Sequence, residues 1–141
     1  MLATKPDLIV DFGSITDTYV SLADRVQAQT GIPYLLIDGR LADTAAALRL
    51  AGAALGVPER AESLARYAEA TFAAVDGVLA QVPPATRPRV YLARGPDGLE
   101  TGLAGSINTE IIERAGGINV AAAGSGRDGL AKVQLEQILA W

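Results

Sequence analysis

Apolar residues along this chain fall into short runs and longer periodic stretches, punctuated by glycine, proline and polar clusters. The first run, Leu8-Ile9-Val10, follows Lys5-Pro6-Asp7. Pro6 disfavours helix before it, and the run has the length of a buried strand. Polar residues over 11–17 form a loop around Gly13, where Thr16 or Asp17 can cap a following helix. In that helix Val20, Ala23, Val26 and Ala28 fall near one face, with Asp24 and Arg25 outside it. Gly31 ends the helix, and Ile32-Pro33-Tyr34-Leu35-Leu36-Ile37 reads as a second strand. Strand, helix and strand predict a βαβ unit with parallel neighbours and a right-handed crossover.

A long helical region follows. Asp43 or Thr44 can cap a helix through Leu48, Leu50 and Leu55; Gly56 breaks it, and Pro58 suits the first turn of another. Over 58–81 the apolar residues Leu64, Ala68, Phe72, Val75 and Leu79 recur at steps of three and four. Glu59, Arg60, Glu62, Arg66 and Glu69 occupy other angles. A helix of that length spans roughly 36 Å, long for a chain of this size. Val82-Pro83-Pro84 with Pro88 then makes a stiff connector.

Beyond the connector, Val90-Tyr91-Leu92-Ala93 reads as a third strand, followed by a Gly-rich loop over 94–106. A short helix is expected over 107–115, stopped by Gly116-Gly117. Ile118-Asn119-Val120-Ala121 reads as a fourth strand, a second Gly-rich loop reaches Gly129, and a final helix covers 133–140. The pattern is therefore α/β: a βαβ unit over 1–40, a helical connector over 41–82, and a second βαβ unit with a terminal helix over 83–141. In open α/β sheets, ligands gather at the loops that follow the strands.

Composition narrows the chemistry. The 141 residues contain no His and no Cys, which excludes an imidazole base, a Cys nucleophile, a Cys/His zinc site and disulfides built from this chain alone. Half the residues are hydrophobic but only 5% are aromatic, so the core is aliphatic. A formal charge of −4 argues against a nucleic-acid footprint, which needs clustered Lys and Arg. No apolar stretch approaches the ~20 residues of a membrane span. The first ten residues lack the features of a secretory signal.

Several constellations have a chemical reading beside an ordinary one. Gly124-Ser125-Gly126-Arg127-Asp128-Gly129 matches G-x-G-x-x-G and would place a nucleotide-binding α/β enzyme domain here. The acidic residue expected about 20 positions later is missing, which leaves a surface loop as the alternative. Asp11 with Asp17, and Glu110 with Glu113, are carboxylate pairs that acid–base or cation chemistry could use, although solvated helix carboxylates are far commoner. Arg94, directly after the third strand, can grip an anionic group bidentately or sit in a surface turn. Tyr19 and Tyr91 can line a pocket, with a core position the alternative for Tyr91.

Three stretches together carry a family likeness: Arg87-Pro88-Arg89-Val90-Tyr91-Leu92; Gly95-Pro96-Asp97-Gly98-Leu99-Glu100-Thr101-Gly102; and Glu110-Ile111-Ile112-Glu113-Arg114-Ala115-Gly116-Gly117-Ile118-Asn119-Val120-Ala121. They resemble the C-terminal lobe of a class III periplasmic binding protein, the substrate-binding family of bacterial ABC importers for iron-siderophores, haem and vitamin B12. Lys5-Pro6-Asp7-Leu8-Ile9-Val10 with Thr30-Gly31-Ile32-Pro33-Tyr34 is similar to the end of that family's N-terminal lobe. Val133-Gln134-Leu135-Glu136-Gln137-Ile138-Leu139-Ala140-Trp141 is similar to a helix that precedes a further family strand.

The resemblance implies two Rossmann-like lobes joined by one long rigid helix, with the ligand held in a cleft between lobes and no catalysis. It implies that this chain is a central fragment, with the signal peptide of a periplasmic or lipid-anchored protein in the part not present. An alternative is that such a fragment, lacking half the cleft walls, binds nothing and self-associates as a homodimer through unpaired sheet edges. The family's permease-docking Glu maps onto Glu113, with Glu110 a second candidate on the same surface. By their places after the first and third strands, Ser14, Thr18, Tyr19, Arg94, Glu100 and Thr101 are the expected ligand contacts. Hydroxyls and Arg suit an oxygen-rich, anionic metal chelate such as a ferric siderophore, haem or cobalamin, and Tyr19 could ligate a haem iron. No resident cofactor or directly bound metal is expected.

Overall fold

The computed structural model describes residues 5–123 and 129–141. The chain divides into two compact units, Met1–Glu69 and Ala70–Trp141. Among the described residues no helix is long and apolar enough to cross a membrane.

In the first unit, strand β1 (Ile9–Gly13) lies parallel to β2 (Tyr34–Asp38), with Ile9 opposite Tyr34 and Gly13 opposite Asp38, and helix α1 (Asp17–Thr30) crosses between them. This is the predicted βαβ unit, its second strand shifted two residues along. Strand alternation puts Asp11 and Tyr34 on one face, where the Tyr34 hydroxyl donates to Asp11 Oδ2 at 2.9 Å. That bond, more than burial, raises the Tyr34 pKa, because the proton it holds is committed to a carboxylate. Val10 and Phe12, on the opposite face, are 50% and 63% exposed.

Helix α1 ends as predicted. Gly31 takes the left-handed conformation (φ 68°), and its N–H bonds back to the Gln27 carbonyl. Its start differs from expectation, since Thr16 makes no side-chain capping bond. Its inward face differs too: Ala23 is buried, whereas Val20 and Ala28 are exposed.

Helices α2 (Thr44–Ala54) and α3 (Pro58–Leu79) complete the first unit's chain, and α3 continues into the second. The predicted break is present: Gly56 adopts φ +71°, and α3 opens on Pro58. The stretch expected to be one long helix is one uninterrupted helix of 22 residues, about 33 Å. Its inward stripe runs through Ala61, Leu64, Ala65, Ala68, Phe72, Val75 and Leu79, with Ala61 and Ala65 buried. Small residues allow a close crossing, and a Cβ built on Gly52 of α2 would lie 2.0 Å from the Ala61 Cβ.

Across the solvent side of that crossing runs an ion network. Arg49 bonds Glu62 and Glu69, each at 2.7 Å, and Arg66 bonds Glu62 at 2.8 Å. Two guanidiniums hold the Glu62 carboxyl down at about 2, against its ordinary 4.5, and both carboxylates push Arg49 up. A carboxylate with a lowered folded pKa adds stability above its unfolded pKa and loses it as pH falls through the folded one. The contribution of Glu62 is therefore present above about 4.5 and is lost as the pH falls from there through about 2. The stability gap between wild type and Glu62→Gln, measured by urea unfolding, is expected to be wider at pH 7 than at pH 2.5. An equal gap at both pH values would show that the network adds nothing.

In the second unit, β3 (Arg89–Val90) pairs in parallel with β5 (Ile118–Asn119), and β4 (Glu100–Gly102) pairs antiparallel with β6 (Leu130–Lys132). Helix α4 (Glu110–Arg114) lies between β4 and β5, and α5 (Leu135–Ala140) closes the chain. Four expectations are corrected here. The third strand stops at Val90, and the fourth gives way to a 3-10 turn after Asn119. The stretch 94–106, expected to be loop, contains β4. The last helix starts later than expected, at Leu135.

The interior around β4 is unusually polar. Thr101, Ser106, Thr109 and Asn119 are all buried beside Leu103, Ile112 and Ala121. Local bonds compensate most of them. Asn119 donates from Nδ2 to the Gly102 carbonyl at 3.1 Å and accepts the Ala121 N–H at Oδ1, while Thr109 Oγ1 lies 3.1 Å from the Ser106 carbonyl. Arg114 fixes α4 to α3: its Nη2 is 2.9 Å from Asp76 Oδ2, and its guanidinium carbon lies 4.5 Å from the Phe72 ring centre. The half-buried Tyr91 donates its hydroxyl to the Gly98 carbonyl, with its ring centre 6.1 Å from that of Trp141.

Candidate functional site

The expected ligand residues fall in two places, one in each unit. In the first unit they follow β1. Ser14 is half-buried in the loop, and Thr18 and Tyr19 are exposed on the first turn of α1, Tyr19 by 46%. Phe12 and Ile15, 63% and 50% exposed, add apolar surface to the same corner. The corner therefore offers two hydroxyls and a phenol set among apolar side chains. Nearby, Asp38 at the end of β2 is clamped by Arg40, whose bonds keep the carboxyl below its usual range.

In the second unit the residues follow β3. Arg94 and Glu100 form an isolated antiparallel bridge, with Arg94 N–H to the Glu100 carbonyl at 2.8 Å and the reverse bond at 3.1 Å. The turn joining them uses Gly95 and Gly98 at φ +76° and +70°, which side chains rarely tolerate. Asp97 accepts the Leu99 N–H and lies 3.4 Å from the Lys132 ammonium, and both contacts lower its pKa. The Arg94 guanidinium is half-buried and donates to Asn108 Oδ1.

Thr101 requires a correction. Placed beside Glu100 in an expected loop, it faces a ligand; on a strand, alternate residues point opposite ways. Glu100 stays partly exposed, whereas Thr101 has no exposed surface, and its hydroxyl has no hydrogen-bond partner among the described residues. It is an interior residue of the second unit.

The expected docking carboxylates sit on α4. Glu113 is exposed and enters no ion pair among the described residues. Glu110, one turn earlier, is half-buried and partnered. The residues missed by the sequence reading are Ser106 and Asn108, which organise the turn before α4. Two polar residues in a Gly-rich stretch just ahead of a helix were the available signal. The glycine-rich nucleotide motif, apart from Gly129, lies outside the described residues.

No family profile and no curated protein sequence matches the chain. Solved structures do. An ABC transporter solute binding protein from Sulfurospirillum deleyianum aligns over 99% of this chain and 43% of its own, at TM-score 0.80 and 29% identity. The periplasmic haem-binding protein RhuT from Roseiflexus, in apo form, aligns over 99% and 52%, at TM-score 0.73 and 25% identity. The chain has the fold of the class III periplasmic binding proteins. A periplasmic haem-binding protein from Pseudomonas aeruginosa shares that fold at TM-score 0.72 and 21% identity, over 99% of this chain and 49% of its own. This chain thus spans about half the length of the periplasmic binding proteins it matches.

Proposed function

We propose that this chain belongs to the solute-binding component of an ABC importer, which holds a metal chelate outside the cytoplasmic membrane and delivers it to the permease. The observation that carries this reading is the match to the Sulfurospirillum solute-binding protein along 99% of the chain. The side chains available fit the task. Ser14, Thr18 and Tyr19 in the first unit, and Arg94 and Glu100 in the second, present hydroxyls and charge to an oxygen-rich ligand. With neither His nor Cys, the chain is suited to gripping a metal already wrapped in its own organic ligands. Glu113 is the carboxylate offered to the permease.

Haem is the first cargo to try, because RhuT and the Pseudomonas protein bear that ligand in their names. Calorimetric titration of the chain with haem, a ferric hydroxamate siderophore, cobalamin and NAD tests the reading. Micromolar or tighter binding of one chelate, with none of NAD, is the expected result. Binding of NAD and of no chelate would overturn it in favour of a nucleotide-binding domain.

A further inference from the structure

We infer that Asn108 is a positioning residue that holds Arg94 as an uncompensated anion grip, an inference that rests on the chelate-binding reading above. Among the described residues Arg40 meets Asp38, Arg49 and Arg66 meet Glu62, and Arg114 meets Asp76, whereas Arg25, Arg60 and Arg87 enter no ion pair. Arg94 meets no carboxylate either, but its side chain is held. Its guanidinium donates to the neutral amide oxygen of Asn108 and enters no ion pair among the described residues. Even Glu100, its backbone bridge partner, is not within ion-pair distance.

The amide is itself fixed. Asn108 Nδ2 and its backbone N–H both reach the Ser106 Oγ at 3.3 Å, and Ser106 is only 4% exposed. With Nδ2 committed to Ser106, only Oδ1 is left to face Arg94, and a carbonyl oxygen is an acceptor that suits a guanidinium. The arrangement orients the fork of N–H donors without neutralising its charge. A half-buried cation left with a neutral partner gains most from an incoming carboxylate or phosphate, to which the remaining donors can bind in bidentate fashion. An Asp at 108 would keep the shape and cancel the charge. This geometry assigns Arg94 to an anionic group of the cargo, and Asn108 to keeping it free for that group.

Two measurements on the whole 141-residue chain test this. Without ligand, the Arg94 Nε–H resonance is expected to show the {1H}-15N NOE of an ordered side chain, and to fall in Asn108→Ala to the level of exposed Arg25. In titrations, Asn108→Asp and Arg94→Gln are each expected to weaken haem, which carries two carboxylates, by about tenfold. Both are expected to leave haem dimethyl ester, which lacks those charges, unchanged. An Arg94 resonance indifferent to Asn108→Ala overturns the inference. So does Asn108→Asp binding haem like wild type while Arg94→Gln does not. If the chain bound neither haem nor its ester yet Arg94 lost order in Asn108→Ala, the positioning role would stand and the haem reading would fall.

Discussion

Replacing Gly52 by Ala is expected to be among the most destabilising single substitutions in the first unit. A Cβ there would stand 2.0 Å from the Ala61 Cβ and 3.3 Å from the Val57 carbonyl oxygen. The obstruction is a methyl rooted on the α3 backbone, not the end of a flexible side chain that could swing away. Relief requires the two helices to part, which also pulls on the Arg49–Glu62–Glu69 network on the same pair of helices. Overpacking of this kind costs about 1–3 kcal/mol, outweighing the roughly 1 kcal/mol that Ala gains over Gly in a helix interior. Removing the obstruction makes the test specific. Ala61→Gly alone loses about 1 kcal/mol of helix propensity, and the double variant is expected to lose less than the sum of the singles. Urea unfolding followed by circular dichroism reads all four proteins. Strict additivity, or a Gly52→Ala chain as stable as wild type, would mean that α2 and α3 do not cross this closely.

That crossing also shows what the pattern of residues could and could not reveal. The first βαβ unit and α3 were legible because their signals are local: apolar runs, Gly31 and Gly56 at helix ends, Pro58 at a helix start. The closeness of α2 to α3 was not, because Gly52 lies inside an Ala-rich helical pattern, where it looks merely tolerated. In the second unit the strands are only two or three residues long, too short for alternation to register. The pairing of β4 with β6 joins segments about thirty residues apart, one of them glycine-flanked and polar, so nothing local announces it. The same blindness misplaced Thr101, whose burial follows only from β4 being a strand, and hid Asn108, whose importance lies in a contact 14 residues back along the chain. Arg94 and Glu113 have other origins: Arg94 follows from its place after the expected third strand, and Glu113 from the family likeness of the stretch 110–121.

For Glu113 the expected result is a separation of transport from binding. In cells carrying the complete importer, Glu113→Arg is expected to cut chelate uptake by about tenfold or more, with affinity for the chelate within about twofold of wild type. The carboxylate is exposed on a helix that has little freedom to move: Ile112 is buried beneath it, and Arg114, the next residue, is pinned by Asp76 and stacked on Phe72. A charge displayed on a fixed support steers encounter with a basic surface and sets its orientation, whereas reversing it places like charges face to face. The substitution should be harmless to the fold. Position 113 enters no ion pair among the described residues, and an Arg there would relieve repulsion from Glu110 one turn away. Glu110→Arg is expected to have a smaller effect on uptake and a larger one on stability, since Glu110 is half-buried and already partnered. Raising ionic strength should slow uptake by wild type more than by Glu113→Arg, because screening acts on the attraction that the variant has lost. If uptake and chelate affinity fell together in Glu113→Arg, the residue would belong to the ligand site and the docking role would have to be abandoned.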